Sequence, residues 1–143
     1  MKFSFPIEPQ PKQSAKFCET LWGIRSYQPH KVTKFKNIVR TLALSQRPAG
    51  FKMFNDAVKV DVTFYFRPVT SMRKKDILQI ILGKIFWKKT KPDVDNLTKA
   101  LFDSLNGVLW VDDALVCDYH VRKIFAHDTG HIEMTIESLV DTV

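Results

Sequence analysis

A chain of 143 residues with 45% hydrophobic content and 11 phenylalanines can bury a core without cross-links and is too apolar to stay disordered. Lys and Arg outnumber Asp and Glu by 22 to 15, a net charge of +7 that points to a polyanionic partner, nucleic acid first. Cys18 and Cys117 lie too far apart for a metal-ligand motif and read as free buried thiols, as in a reducing cytoplasm, the expected location. The first residues carry no sustained apolar run. The strongest apolar stretch, 77–87, is interrupted by Gln79 and Lys84 and is too short to span a bilayer, so no membrane partner is expected.

Along the chain, residues 2–8 alternate with Phe3, Phe5 and Ile7 on one side, which predicts an opening strand that Pro6 keeps at a sheet edge. Pro9 and Pro11 then break regular pairing, and Lys12, Lys16 and Arg25 fall in what reads as an irregular basic loop, either solvated or set against phosphates. A helix is expected from Thr33, its possible N-cap, to Arg47-Pro48-Ala49-Gly50. Phe35, Ile38, Val39, Leu42 and Leu44 give it an apolar face, with Lys34, Lys36 and Arg40 opposite. Val58, Val60, Val62, Phe64 and Phe66 alternate with polar residues, the clearest strand, with Asp61 on its exposed phase.

Ser71 caps a further expected helix running to about Lys84, with Met72, Ile77, Ile80 and Ile81 inward. Arg73, Lys74 and Lys75 crowd its first turn, where positive charge opposes the macrodipole, and Lys84, Lys88, Lys89 and Lys91 follow. That placement makes these seven residues the candidate phosphate contacts, with Phe86 and Trp87 among them either core or stacking platforms. Near the C-terminus, 115–125 and 131–139 read as two strands joined at His127-Asp128-Thr129-Gly130, which implies an antiparallel hairpin.

Between these lies the chemistry. Asp93 and Asp95 alternate where the chain turns into a helix expected over 96–106, and Asp112-Asp113 follow just beyond it. Leu97, Ala100, Leu101, Ser104, Leu105 and Val108 line the buried side, while Asp95, Lys99 and Asp103, four apart, share another face. Asn106-Gly107 closes the helix. Carboxylates so crowded repel unless a cation lies between them, and an oxygen-only set suits a hard ion such as Mg²⁺. The residues therefore suggest a Mg²⁺-dependent enzyme acting on a nucleic-acid backbone. Each feature has a plainer reading too: Asp95 as an N-cap, Asp112-Asp113 as turn residues, Lys99 as the middle of a surface ion-pair ladder. His30, His120, His127 and His131 pair with no nucleophile, and zinc is unsupported.

The string Asp93-Val94-Asp95-Asn96-Leu97, Lys99-Ala100, Phe102-Asp103 and Leu105, followed by Trp110, Asp112-Asp113 and Val116, resembles the signature of the RusA family of Holliday junction resolvases. The resemblance is dense from Asp93 to Lys123, while 69–90 is longer and Pro9-Gln10-Pro11-Lys12 matches loosely. It implies that Asp93, Asp95 and Asp113 bind Mg²⁺, that Lys99 is the motif lysine, and that Asp112 is an auxiliary ligand. It further implies a homodimer, common in phages and prophages, that cuts four-way DNA junctions symmetrically in recombination and repair. The expected architecture is one small α+β domain over 1–143, a mainly antiparallel sheet with helices packed on one face. The alternative is a non-catalytic DNA-binding or regulatory protein of the same fold.

Overall fold

The structure is a computed structural model that describes residues 1–13, 16–27 and 29–142. Its order is β1 (Lys2–Phe5), β2 (Lys16–Thr20), β3 (Gly23–Tyr27), α1 (His30–Gln46), β4 (Val58–Phe66), α2 (Lys74–Ile81), α3 (Val94–Leu105), a 3-10 turn (Asp113–Leu115), β5 (Val116–Phe125) and β6 (His131–Ser138). Four strands form one sheet in the order β1-β6-β4-β5, with β2 and β3 paired separately. The β1–β6 and β4–β6 ladders are antiparallel and β4–β5 is parallel, so the fold is α+β with a mainly antiparallel sheet.

The expected β5–β6 hairpin does not form: β4 lies between the two strands and pairs with both. The reason is side-chain burial. Val58, Val60, Val62, Phe64 and Phe66 are all buried, and a strand this apolar gains most at the centre. There Val60, Val62 and Phe64 meet Ile136, Met134 and Ile132 on one side and Tyr119, Val121 and Lys123 on the other. β1 takes the edge, as Pro6 predicts, and buries Phe3 and Phe5 on the same face. Segment 86–88 runs beside the outer edge of β5, where Lys88 N–H donates to Lys123 O (3.1 Å) and Phe125 N–H to Phe86 O (3.0 Å).

Helices α1 and α3 pack against each other and cover the apolar face. α1 begins at His30 rather than Thr33, with Pro29 at the N-cap and no side-chain capping bond, which left no capping signal in the sequence. Its buried stripe is Val32, Phe35, Val39 and Ala43; Leu44, expected inward, is exposed. α2 is shorter than the expected 71–84, starts after Arg73 rather than Ser71, and buries no residue. Ile77 and Ile80 are half-buried, but Ile81 points to solvent.

Two further expectations are corrected. The stretch carrying Lys16 and Arg25 is a hairpin, not an irregular loop, with Phe17, Leu21, Trp22 and Ile24 exposed. Both cysteines are free as expected, yet exposed rather than buried. Cys18 lies on that uncovered hairpin, and Cys117 falls where the β4–β5 register slips by one residue. No helix among the described residues is long and apolar enough to cross a membrane.

Candidate functional site

The site is built on α3. Leu97, Ala100, Leu101, Ser104 and Leu105 recur at helical spacing and are buried, as the sequence predicts; Phe102 joins them and packs edge-on against Trp110, centroids 5.2 Å apart. Trp110 is fully buried, and its indole N–H donates to Asn106 Oδ1 (2.7 Å). Gly107, at φ +75°, lets the chain reverse so that its N–H reaches Trp110 O (2.8 Å). Phe54 N–H to Leu109 O (2.9 Å) and Val111 N–H to Phe54 O (3.0 Å) pin the next residues. This anchoring delivers Asp112 and Asp113 to a 3-10 turn in contact with α3.

Asp93, not Asp95, occupies the α3 N-cap, and its side chain makes no capping bond. A capping aspartate commonly stabilises a helix by about 1 kcal/mol, so this carboxylate is set elsewhere. Its ion-pair partner is Lys91, at 3.6 Å, with both groups exposed. Asp95 lies exposed in the first helical turn, where a carboxylate is favourable to the macrodipole. Asp112 behaves as the plainer reading suggests: its Oδ2 accepts from Ala114 N–H (3.1 Å) and caps the 3-10 turn. Asp113 is half-buried inside that turn.

The surface ladder does not form. Asp103 instead accepts from Lys12 Nζ at 2.6 Å, while Lys12 N–H donates to Asn96 O (3.0 Å), so the loop before β2 is stapled to α3 twice. Lys99 is exposed and makes no ion pair among the described residues. Thr98, one residue before it, shares a 2.8 Å hydrogen bond with the Tyr119 hydroxyl. Burial pushes Tyr119 up to about 12 despite that bond.

Among the described residues, no three His, Cys, Asp or Glu side chains stand close enough to hold a metal ion, so Asp93, Asp95 and Asp113 are not drawn to ligand distance. In donor type the set fits a hard divalent ion. It is oxygen-only, it sits on two touching elements, and neither Asp93 nor Asp95 is engaged in capping.

The basic residues divide into groups. Arg73 pairs with Asp76 (3.1 Å), which offsets the unfavourable charge at the start of α2. Lys84 and Lys88 lie over aromatic rings, Lys84 over Phe86 (5.1 Å) and Lys88 over Phe66 (5.1 Å) and Phe125 (5.5 Å). Lys91 is beside Asp93, and Lys74, Lys75 and Lys89 are exposed without an ion pair among the described residues. Trp87 is half exposed alongside them.

Lys123 was not singled out by the sequence. Its ammonium donates to Thr90 O (2.8 Å) and Pro92 O (2.7 Å), immediately before Asp93. Burial lowers its pKa, Lys88 adds to that, and Asp93 opposes both. The signal available was a lysine on the apolar phase of a strand, between Val121 and Phe125, which implies a specific partner.

The profile of the family described as endodeoxyribonuclease RusA matches residues 6–137. The uncharacterized protein YqaN of Bacillus subtilis (strain 168) is 33% identical over 105 residues, covering 70% of each chain. The crossover junction endodeoxyribonuclease RusA of one Escherichia coli strain is 44% identical over 54 residues, 37% of this chain and 45% of that one. The same-named protein of Escherichia coli (strain K12) is 42% identical over 52 residues, covering 36% and 43%. The aligned stretch thus spans less than half the length of either Escherichia coli protein.

Proposed function

The chain belongs to the RusA family of endodeoxyribonucleases, and from that premise we propose that it is a Mg²⁺-dependent enzyme that cuts four-way DNA junctions by phosphodiester hydrolysis. The observation that carries this reading is the α3 N-terminus, where Asp93 holds the N-cap without capping and Asp95 follows in the first turn. Exposed acidic side chains that cap nothing, on a chain of net charge +7, gain nothing from a phosphate partner alone.

Asp93, Asp95 and Asp113 would hold the ion, with Asp112 as an auxiliary ligand through the oxygen not used in capping. When bound, such an ion polarises a phosphate and lowers the pKa of an attacking water. Lys99 extends from α3 one turn after Asp95 and would neutralise charge developing on the phosphate or the leaving oxygen. Arg73, Lys74, Lys75, Lys84, Lys88, Lys89 and Lys91 would hold the DNA arms through backbone phosphates. In a homodimer, two-fold symmetry would set two such sites against opposed strands, giving paired cuts.

The test is cleavage of labelled four-way junction, fork and linear duplex DNA by the wild-type protein in Mg²⁺. Paired symmetric nicks on the junction are expected, with forks and duplex spared. Cutting of forks or duplex instead would retain the nuclease and reject junction selectivity. Tight junction binding with no cutting would favour the non-catalytic DNA-binding alternative.

A further inference from the structure

We propose that Lys123 is a positioning residue for the metal-binding carboxylate Asp93, acting through the backbone rather than through the carboxylate itself. This inference rests on the reading of Asp93 as a metal ligand in the preceding subsection.

Asp93 needs an external support because its own helix does not fix its side chain. It sits at the N-cap with extended backbone (φ −74°, ψ 148°) and no capping bond. What orients its carboxylate is therefore the chain entering α3. That entry lies outside regular structure, so its carbonyls have no ladder or helix partners. Lys123 supplies them. One ammonium takes Thr90 O at 2.8 Å and Pro92 O at 2.7 Å. Holding the Pro92 carbonyl fixes the plane of the Pro92–Asp93 peptide, and with it the point from which the Asp93 side chain departs.

The clamp has a firm base. Lys123 is on β5, opposite Phe64 of the central strand, and its own carbonyl accepts from Lys88 N–H (3.1 Å). Lys88 in turn donates from Nζ to the Thr90 hydroxyl (2.9 Å). Two lysines from adjoining segments thus grip the same bend. Lys123 forms no ion pair with Asp93 within 4 Å among the described residues, and its ammonium is spent on the two backbone carbonyls, so it does not occupy the carboxylate oxygens. This is how a group behind a metal ligand acts: it sets ligand geometry, and its loss commonly costs roughly 10- to 100-fold in metal affinity or activity.

The experiment compares wild type, Lys123→Met, Lys123→Arg and Asp93→Asn, reading Mn²⁺ binding by calorimetry and single-turnover junction cleavage over a range of Mg²⁺. Junction affinity in EDTA and thermal melting are recorded alongside. Lys123→Met is expected to weaken Mn²⁺ binding and slow cleavage by roughly 10- to 100-fold, with cleavage partly restored by raised Mg²⁺. Junction affinity in EDTA should stay at the wild-type value, and Lys123→Arg, which can still donate to both carbonyls, should recover most of the loss. If Asp93→Asn loses Mn²⁺ binding and cleavage while Lys123→Met keeps both, Lys123 is only a loop tether and the inference fails alone. If Asp93→Asn itself changes neither, the metal reading fails and takes this inference with it. Should Lys123→Met not fold, Lys123→Ala, which also removes both donors, is read in the same way.

Discussion

The five carboxylates of the motif, Asp93, Asp95, Asp103, Asp112 and Asp113, differ in the partners they take. Asp103 is bound to Lys12 at 2.6 Å with both side chains more than a third exposed, and Asp112 caps a turn. Asp93 makes no capping bond and only a looser, more exposed pair with Lys91 (3.6 Å), and Asp95 makes no ion pair among the described residues. Asp103→Asn is therefore expected to lower stability by less than about 1 kcal/mol and leave cleavage intact. Asp93→Asn, Asp95→Asn and Asp113→Asn should abolish cutting while keeping junction binding equal or tighter, since each removes a negative charge near phosphate; melting and gel-shift titrations read the two effects separately. Local spacing is what singles out Asp93, Asp95, Lys99 and Asp113 as candidates in the sequence. The Lys12–Asp103 and Lys123 contacts are not legible there, because they join residues 91 and about 30 positions apart, beyond any helical or strand period. Tyr119 offers a check on the packing beneath the site. Burial holds its proton up to about 12, above the ordinary 10, so the folded state binds that proton more tightly than the unfolded chain. Its contribution is complete below pH 10 and is lost as pH rises through about 12. An ultraviolet titration should show a late phenol that is absent in Tyr119→Phe.

At the level of elements, α3 was read nearly whole, observed at 94–105 against an expected 96–106, because one face is apolar at helical spacing and Gly107 ends it. The strands were also legible, but not their partners. Alternation reports that a strand has a buried face and is silent on which strand lies beside it, so β5 and β6 looked like a hairpin until β4 was seen between them. The β2–β3 hairpin is not legible for a related reason: with Phe17 and Ile24 exposed, none of its described side chains is buried, so no alternating pattern is imposed. Trp110 is the element-level anchor of the Asp112-Asp113 turn. Trp110→Ala should cost about 3–5 kcal/mol in denaturant unfolding, whereas Trp110→Phe should retain more of that stability. α2 is the opposite case, since it buries nothing, and charge reversal there should leave folding unchanged. Because Arg73 is already paired with Asp76, Lys74→Glu and Lys75→Glu are expected to weaken junction binding more than Arg73→Glu does. Equal affinity across all three would return α2 to ordinary surface.

For the whole molecule, a net charge of +7 and a mainly antiparallel sheet backed by two helices set the candidate carboxylates on a chain rich in basic residues. Junction affinity should fall linearly on a log–log plot against salt, and the Lys74→Glu/Lys75→Glu double variant should flatten that slope. The charge and fold class were readable from composition and patterning; the arrangement of the carboxylates was not, since it depends on how α3 and the following turn pack. The central claim is that Asp95 belongs to a metal-dependent cutting site, and one measurement addresses it most directly. Wild type and Asp95→Asn are incubated with a labelled four-way junction in Mg²⁺ or in EDTA, and the products are mapped to the nucleotide. Paired nicks by wild type in Mg²⁺ alone are expected, with none from the variant despite full junction binding. Cleavage by Asp95→Asn at the wild-type rate, or cutting that persists in EDTA, would contradict that claim.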